Sequence, residues 1–136
     1  LAAGGRRPTD LDRGFYVEPT VFGNVDNGSA IARNEIFGPV LTVIPAKDES
    51  DAVAIANDSI YGLNASVFTA DADRALAVAR QLRTGTVGHN AFRSDFGMGF
   101  GGFKQSGVGR EGGAEGVRAF TEHKAVILDG PPTTAP

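Results

Sequence analysis

The run Val40-Leu41-Thr42-Val43-Ile44, closed by Pro45, decides the fold class. It is strand-length, apolar almost throughout and shows no polar alternation, so it reads as a strand covered on both faces, the pattern of parallel sheet. Working outward, Asp48, Ser50 and Asp51 offer caps to a short helix through Ala52, Val53, Ile55 and Ala56 that stops at Asn57. Ala65-Ser66-Val67-Phe68-Thr69 is a second strand. Asp71 caps a further helix with Ala75, Leu76, Ala79 and Leu82 on one face. Arg80 and Arg83 fall in its last turn and Gly85 ends it. Thr86-Val87-Gly88-His89 is a third strand. Strands alternating with helices through short connections predict an α/β fold, with βαβ units on a parallel sheet.

Upstream, Leu1 to Asp12 reads as a loop or strand end, and Gly14 to Phe22, interrupted by Pro19, as an edge or entry strand. Asn24 to Gly28 signals a turn, Ser29 to Arg33 a short helix, and Gly38-Pro39 forces a bend. Downstream, regularity stops at Asn90 and returns only near Glu115. Many of the 19 glycines cluster between Gly97 and Gly116, and a long irregular loop inside a compact body is usually functional. Ala125-Val126-Ile127-Leu128 reads as a last strand, followed by a mobile tail over 130–136.

Composition narrows the function. The chain has 136 residues, 41% of them hydrophobic and 21% charged, as in ordinary soluble globular proteins. Zero cysteines exclude a disulfide framework, thiolate-ligated metal and a thiolate nucleophile from this chain. A net charge of −3, from 13 basic and 16 acidic residues, lacks the basic patch that nucleic acid requires. There is no apolar stretch near ~20 residues and no basic-plus-apolar leader, so neither membrane nor secretion is indicated and the expected location is cytoplasmic. Leu1 is not a start methionine and the only methionine is Met98; a segment of a longer chain is expected.

Most short motifs carry little. Two histidines are too few for a metal cluster, and no hydrolase elbow or P-loop lysine occurs. Gly97 to Gly102 and Gly107 to Gly112 both match G-x-G-x-x-G, but neither follows directly on a strand, as a dinucleotide fingerprint must. Asn27, Asn57 and Asn64 open formal glycosylation sequons that mean nothing without a secretory signal. Glu35-Ile36-Phe37-Gly38-Pro39 is more informative. A carboxylate can accept bonds from two vicinal hydroxyls while a nearby phenyl face packs on a flat heterocycle. On physical grounds alone, an exposed Glu35 and a core Phe37 is the commoner arrangement. Phe96 and Phe100 can similarly line an apolar tunnel or belong to the core.

Four motifs standing in order change that balance: Glu35 to Val40; Asn57-Asp58-Ser59-Ile60-Tyr61-Gly62-Leu63; Thr84-Gly85-Thr86-Val87 with Asn90; and Phe100 to Glu111. Together they resemble NAD(P)-dependent aldehyde dehydrogenases, from about Gly14 to Ile127. The resemblance implies a C-terminal segment: the last part of a catalytic domain over 1–120, an oligomerisation strand over 121–129, and the flexible tail over 130–136. It makes Glu35 the residue bonding the nicotinamide ribose and Phe37 the ring beside the nicotinamide. Phe100 and Phe96 become tunnel residues, and Arg110 and Glu122 a pair coupling the subunit interface to cofactor binding.

In the family, an aldehyde is attacked by a cysteine thiolate, the thiohemiacetal gives its hydride to NAD or NADP, and a glutamate base activates water to release the acid. The cysteine, the base and the main dinucleotide-binding domain lie upstream of the matching region, so the segment is expected to be inactive alone and to work within a homo-oligomer, a dimer or tetramer. The alternative is a non-catalytic oligomerisation or interaction module derived from that fold. Asn34, His89 and Gly99 depart from the family's usual acidic, apolar and proline residues.

Overall fold

The computed structural model describes residues 1–134; the last two positions of the expected tail, 135–136, lie outside the described residues. Two parallel strand pairs are linked in series. In the first, β1 (Thr20–Phe22) pairs with β2 (Val40–Thr42), Thr20 opposite Val40, with the short helix α1 (Ala30–Arg33) between them. In the second, β3 (Asn64–Val67) pairs with β4 (Thr86–His89), Asn64 opposite Thr86, around α3 (Ala72–Ala79). Helix α2 (Glu49–Asn57) joins the two units. After β4 come a single 3-10 turn over Lys104–Ser106 and α4 (Gly113–Arg118).

The α/β class and parallel pairing agree with the sequence reading, but the single sheet does not. β2 pairs with β1 and β3 with β4, and no ladder joins β2 to β3. A continuous apolar run reports that both faces of a strand need cover; it does not say which strand lies beside it. Here the cover is incomplete, and Leu41 and Val43 are 59% and 48% exposed.

The helix starts are chemically explicit. Asp48 accepts the amide of Asp51 at 2.8 Å, and Asp71 accepts those of Asp73 and Arg74 at 2.9 and 3.1 Å, satisfying amides that have no partner within a helix. α2 ends at Asn57 as expected. α3 ends earlier than Gly85 suggested, because its final turn tightens: Gln81 N bonds Val78 O and Leu82 N bonds Ala79 O. The Asn57 side chain then takes over, donating to Gln81 O at 2.8 Å and accepting from Arg83 N at 2.7 Å. Arg80 is therefore the cap of α3 and Arg83 lies past its end.

The buried apolar centre is small: Val53 of α2 with Ala75 and Val78 of α3. Close approach of backbones does much of the remaining work. A methyl group at Gly85 would lie 1.6 Å from the carbonyl oxygen of Gly101, so the start of β4 and the glycine-rich segment touch main chain to main chain. No helix among the described residues is long and apolar enough to cross a membrane.

Gly85→Ala must push these two backbones apart and is expected to destabilise the protein by about 1–3 kcal/mol. Denaturant midpoints check this, and an unchanged midpoint would contradict the contact.

Candidate functional site

α1 ends at Arg33, and its cap Asn34 turns into extended backbone. Glu35 and Ile36 follow, and Phe37 then adopts a left-handed conformation with φ +56°. For a non-glycine residue with a bulky side chain this costs of order 1–2 kcal/mol. The ring gains no burial in exchange, being 92% exposed. A strained backbone that holds an aromatic face out of the protein is a feature found at ligand clamps. Glu35 is also exposed and forms no ion pair among the described residues. It borders a groove of about 670 Å³ whose walls include Arg33, Ser59, Tyr61, Gln105 and Ser106. The core position open to Phe37 on sequence grounds is thus not the one it takes.

Phe96 and Phe100 meet at a second cavity, of about 410 Å³, shared with Phe92, Met98 and Glu111. Reciprocal backbone bonds between Phe100 and Glu111, at 2.7 and 2.8 Å, close the loop around it. Three phenylalanine rings and a thioether make much of the lining apolar, with the carboxylates of Asp95 and Glu111 beside them. Glu35 does not line this cavity, so the two pairs of candidate residues occupy separate surfaces.

The third pair is not formed. Arg110 donates to the carbonyls of Gly102 and Gly109 at 3.1 and 2.6 Å, and its guanidinium lies 5.4 Å from the centre of the Phe103 ring. No ion pair joins it to Glu122; among the described residues the ion pairs are Arg33–Asp58 and Arg74–Glu49. The guanidinium is occupied by carbonyls and an aromatic face, while Glu122 sits in an exposed segment without regular structure. Ala125 to Leu128 in that segment forms no strand, because no edge of the chain pairs with it. The glycine-rich matches also behave as expected of chance matches: neither follows a strand, and the helix after Gly112 has only six residues.

The end of α2 carries a cluster to which the sequence assigns no site role: Asn57-Asp58-Ser59 reads there as a helix stop, a formal sequon and the start of one of the four ordered motifs. Arg33 donates to the backbone carbonyl of Asp58 and, at 2.5 Å, to its carboxylate, which also accepts from Asn27 at 2.8 Å. From the other side the Lys104 ammonium donates to the carbonyls of Asn57 and Ser59 at 3.0 and 2.8 Å. Two cations on the carbonyl end of a helix are favourably placed for its dipole. The Arg33 hydrogen bond is the chief reason the Asp58 carboxyl is held below its ordinary value of 3.8, and Arg33 is raised in turn. The sequence signal for this cluster is that Asn57 to Ser59 and Lys104 stand inside two of the ordered motifs and Arg33 just before a third; nothing in the pattern says that they meet.

Comparison with known proteins gives a consistent result. The model of the aldehyde dehydrogenase family matches residues 1–126. Geranial dehydrogenase of Castellaniella defragrans is 52% identical over 130 residues, covering 96% of this chain and 27% of that protein. 3-Succinoylsemialdehyde-pyridine dehydrogenase of a Pseudomonas species is 49% identical over 127 residues, covering 93% and 27%. Among solved structures, the aldehyde dehydrogenase of Mycobacterium tuberculosis complexed with NAD+ superposes with a TM-score of 0.93 at 53% identity, over 98% of this chain and 28% of that one. The betaine aldehyde dehydrogenase of Staphylococcus aureus in complex with NAD+ gives 0.83 at 46% identity, over 88% and 24%. The chain therefore spans about 27% of the length of these curated relatives.

Because the folded-state carboxyl of Asp58 titrates below its unfolded value, its contribution is complete above pH 3.8 and is lost as pH falls below that. Asp58→Asn is expected to be less stable than the parent at neutral pH and to converge on it in acid. Melting temperatures across pH read this directly, and a constant difference down to pH ~2 would contradict it.

Proposed function

Because the chain belongs to the aldehyde dehydrogenase family, we propose that it is the C-terminal part of a complete NAD(P)-dependent enzyme that oxidises an aldehyde to a carboxylic acid. The observation that carries this reading is the bend at Glu35 to Gly38: an exposed carboxylate, without an ion-pair partner among the described residues, two residues from a nearly fully exposed ring held at positive φ. Those two groups fit a ribosyl nicotinamide. The carboxylate accepts hydrogen bonds from the vicinal ribose hydroxyls, and the ring face covers the flat heterocycle. The bound dinucleotide supplies the hydride acceptor for the oxidation. The chain's own residues fix its ribose, shield one face of its ring from water and, through Phe96 and Phe100, form an apolar wall along the approach of the aldehyde.

The absence of cysteine means that the thiolate attacking the aldehyde comes from outside these 136 residues. The exposed Val126, Ile127 and Leu128, at 68, 94 and 59%, suit a strand that pairs with an edge in a second subunit. This pairing would satisfy backbone groups that the chain itself leaves open and supports a homo-oligomer.

In the complete enzyme, Glu35→Gln and Phe37→Ala are each expected to weaken dinucleotide binding about tenfold, the loss of one charge-assisted bond or one packed ring. Equilibrium fluorescence titration measures this. Unchanged affinity in both variants, with native circular dichroism, would refute the assignment of this bend to the cofactor.

A further inference from the structure

Glu35 is exposed and its side chain makes no hydrogen bond or ion pair among the described residues, yet a residue that fixes a ribose must be held in place. The nearest restraint is two residues away. Arg33, the last residue of α1, reaches 25 positions along the chain to the end of α2, where it grips Asp58 twice, at the backbone carbonyl and at the carboxylate. Its partner is not free to follow it. Asn27 holds the same carboxylate, Lys104 pulls on the carbonyls either side of Asp58, and the Asn57 side chain is bonded to the end of α3. The strained Phe37 lies two residues beyond Glu35, so the Glu35–Phe37 bend has a fixed anchor on its α1 side and an unfavourable backbone conformation on the other.

Resting on the function proposed above, we propose that Arg33 is a positioning residue for the cofactor: its two-point grip on Asp58 sets where the Glu35 carboxylate stands. The planar guanidinium suits this role because a fork of two donors fixes direction as well as distance. An ammonium at the same position has no rigid planar fork and fixes direction less well. Since misplacement by about 1 Å can cost up to 10²-fold in function, loss of the grip is felt at Glu35 without any contact between Arg33 and the dinucleotide.

The test uses the complete enzyme and reads the dissociation constant of NAD+ or NADP+, whichever the unsubstituted enzyme binds more tightly, beside the KM for aldehyde at saturating cofactor. Arg33→Ala is expected to raise the dissociation constant about tenfold, and Arg33→Lys about threefold, with the aldehyde KM within twofold of the parent. Asp58→Ala added to Arg33→Ala should bring little further loss, because both remove one interaction. An unchanged dissociation constant in folded Arg33→Ala, or equal rises in both constants, overturns the inference. If Arg33→Ala does not fold, Arg33→Lys decides by the same two criteria. Failure of the unsubstituted enzyme to bind either dinucleotide removes the proposed function and this inference with it, whereas tight parental binding that no substitution moves removes this inference alone.

Discussion

Segments distant in sequence meet where α2 ends, and what joins them there is hydrogen bonding to backbone carbonyls and amides rather than apolar burial. Asn57 ties α2 to the end of α3, Asp58 ties it to α1, and the Lys104 ammonium spans Asn57 and Ser59. Three residues further on, the buried Gly62 accepts from Gly85 and Phe103 and donates to the Ser106 hydroxyl. A side chain there would come within 2.4 Å of the carbonyl of Arg83. Each bond contributes only about 1 kcal/mol, but together they fix the relative positions of the groove beside Glu35, the glycine-rich segment and β4. Lys104 itself sits at φ +55° to make its reach, a local cost offset by two charge-assisted bonds.

This dependence on polar joints follows from how little apolar surface is buried. Three small side chains make up the buried apolar centre, whereas Phe68, Phe92 and Ile127 are 73, 70 and 94% exposed. An independent domain rarely leaves so many large apolar groups in water. The chain behaves physically as a wall section: its own bonds set its shape, and its apolar faces await cover. Its span of about 27% of its relatives' length agrees with this picture.

The local chemistry was legible in the sequence, and the long-range pairing was not. Asp48, Asp71 and Asn57 mark helix ends because capping depends on residues two or three positions apart. The ordered motifs singled out Glu35 and Phe37, and the structure adds that Phe37 is exposed on left-handed backbone. Patterning alone leaves Phe37 open to a core position, since an aromatic in a strand-rich region usually is core, and its 92% exposure in the structure separates the two cases. The single sheet expected around Val40 to Ile44 became two pairs, because burial need carries no information about neighbours. Arg110 was matched to Glu122, yet it spends its donors on Gly102 and Gly109. The joints made by Arg33 and Lys104 are not legible in the sequence, because they reach main-chain carbonyls about 25 and 45 residues away, which no residue pattern encodes.

The most direct measurement is a crystal structure of the complete enzyme with its dinucleotide bound. The expected result is the Glu35 carboxylate about 3 Å from the nicotinamide ribose hydroxyls, the Phe37 ring against the nicotinamide, and Arg33 still on Asp58. A ribose held by other residues, with Glu35 turned to solvent, would contradict it.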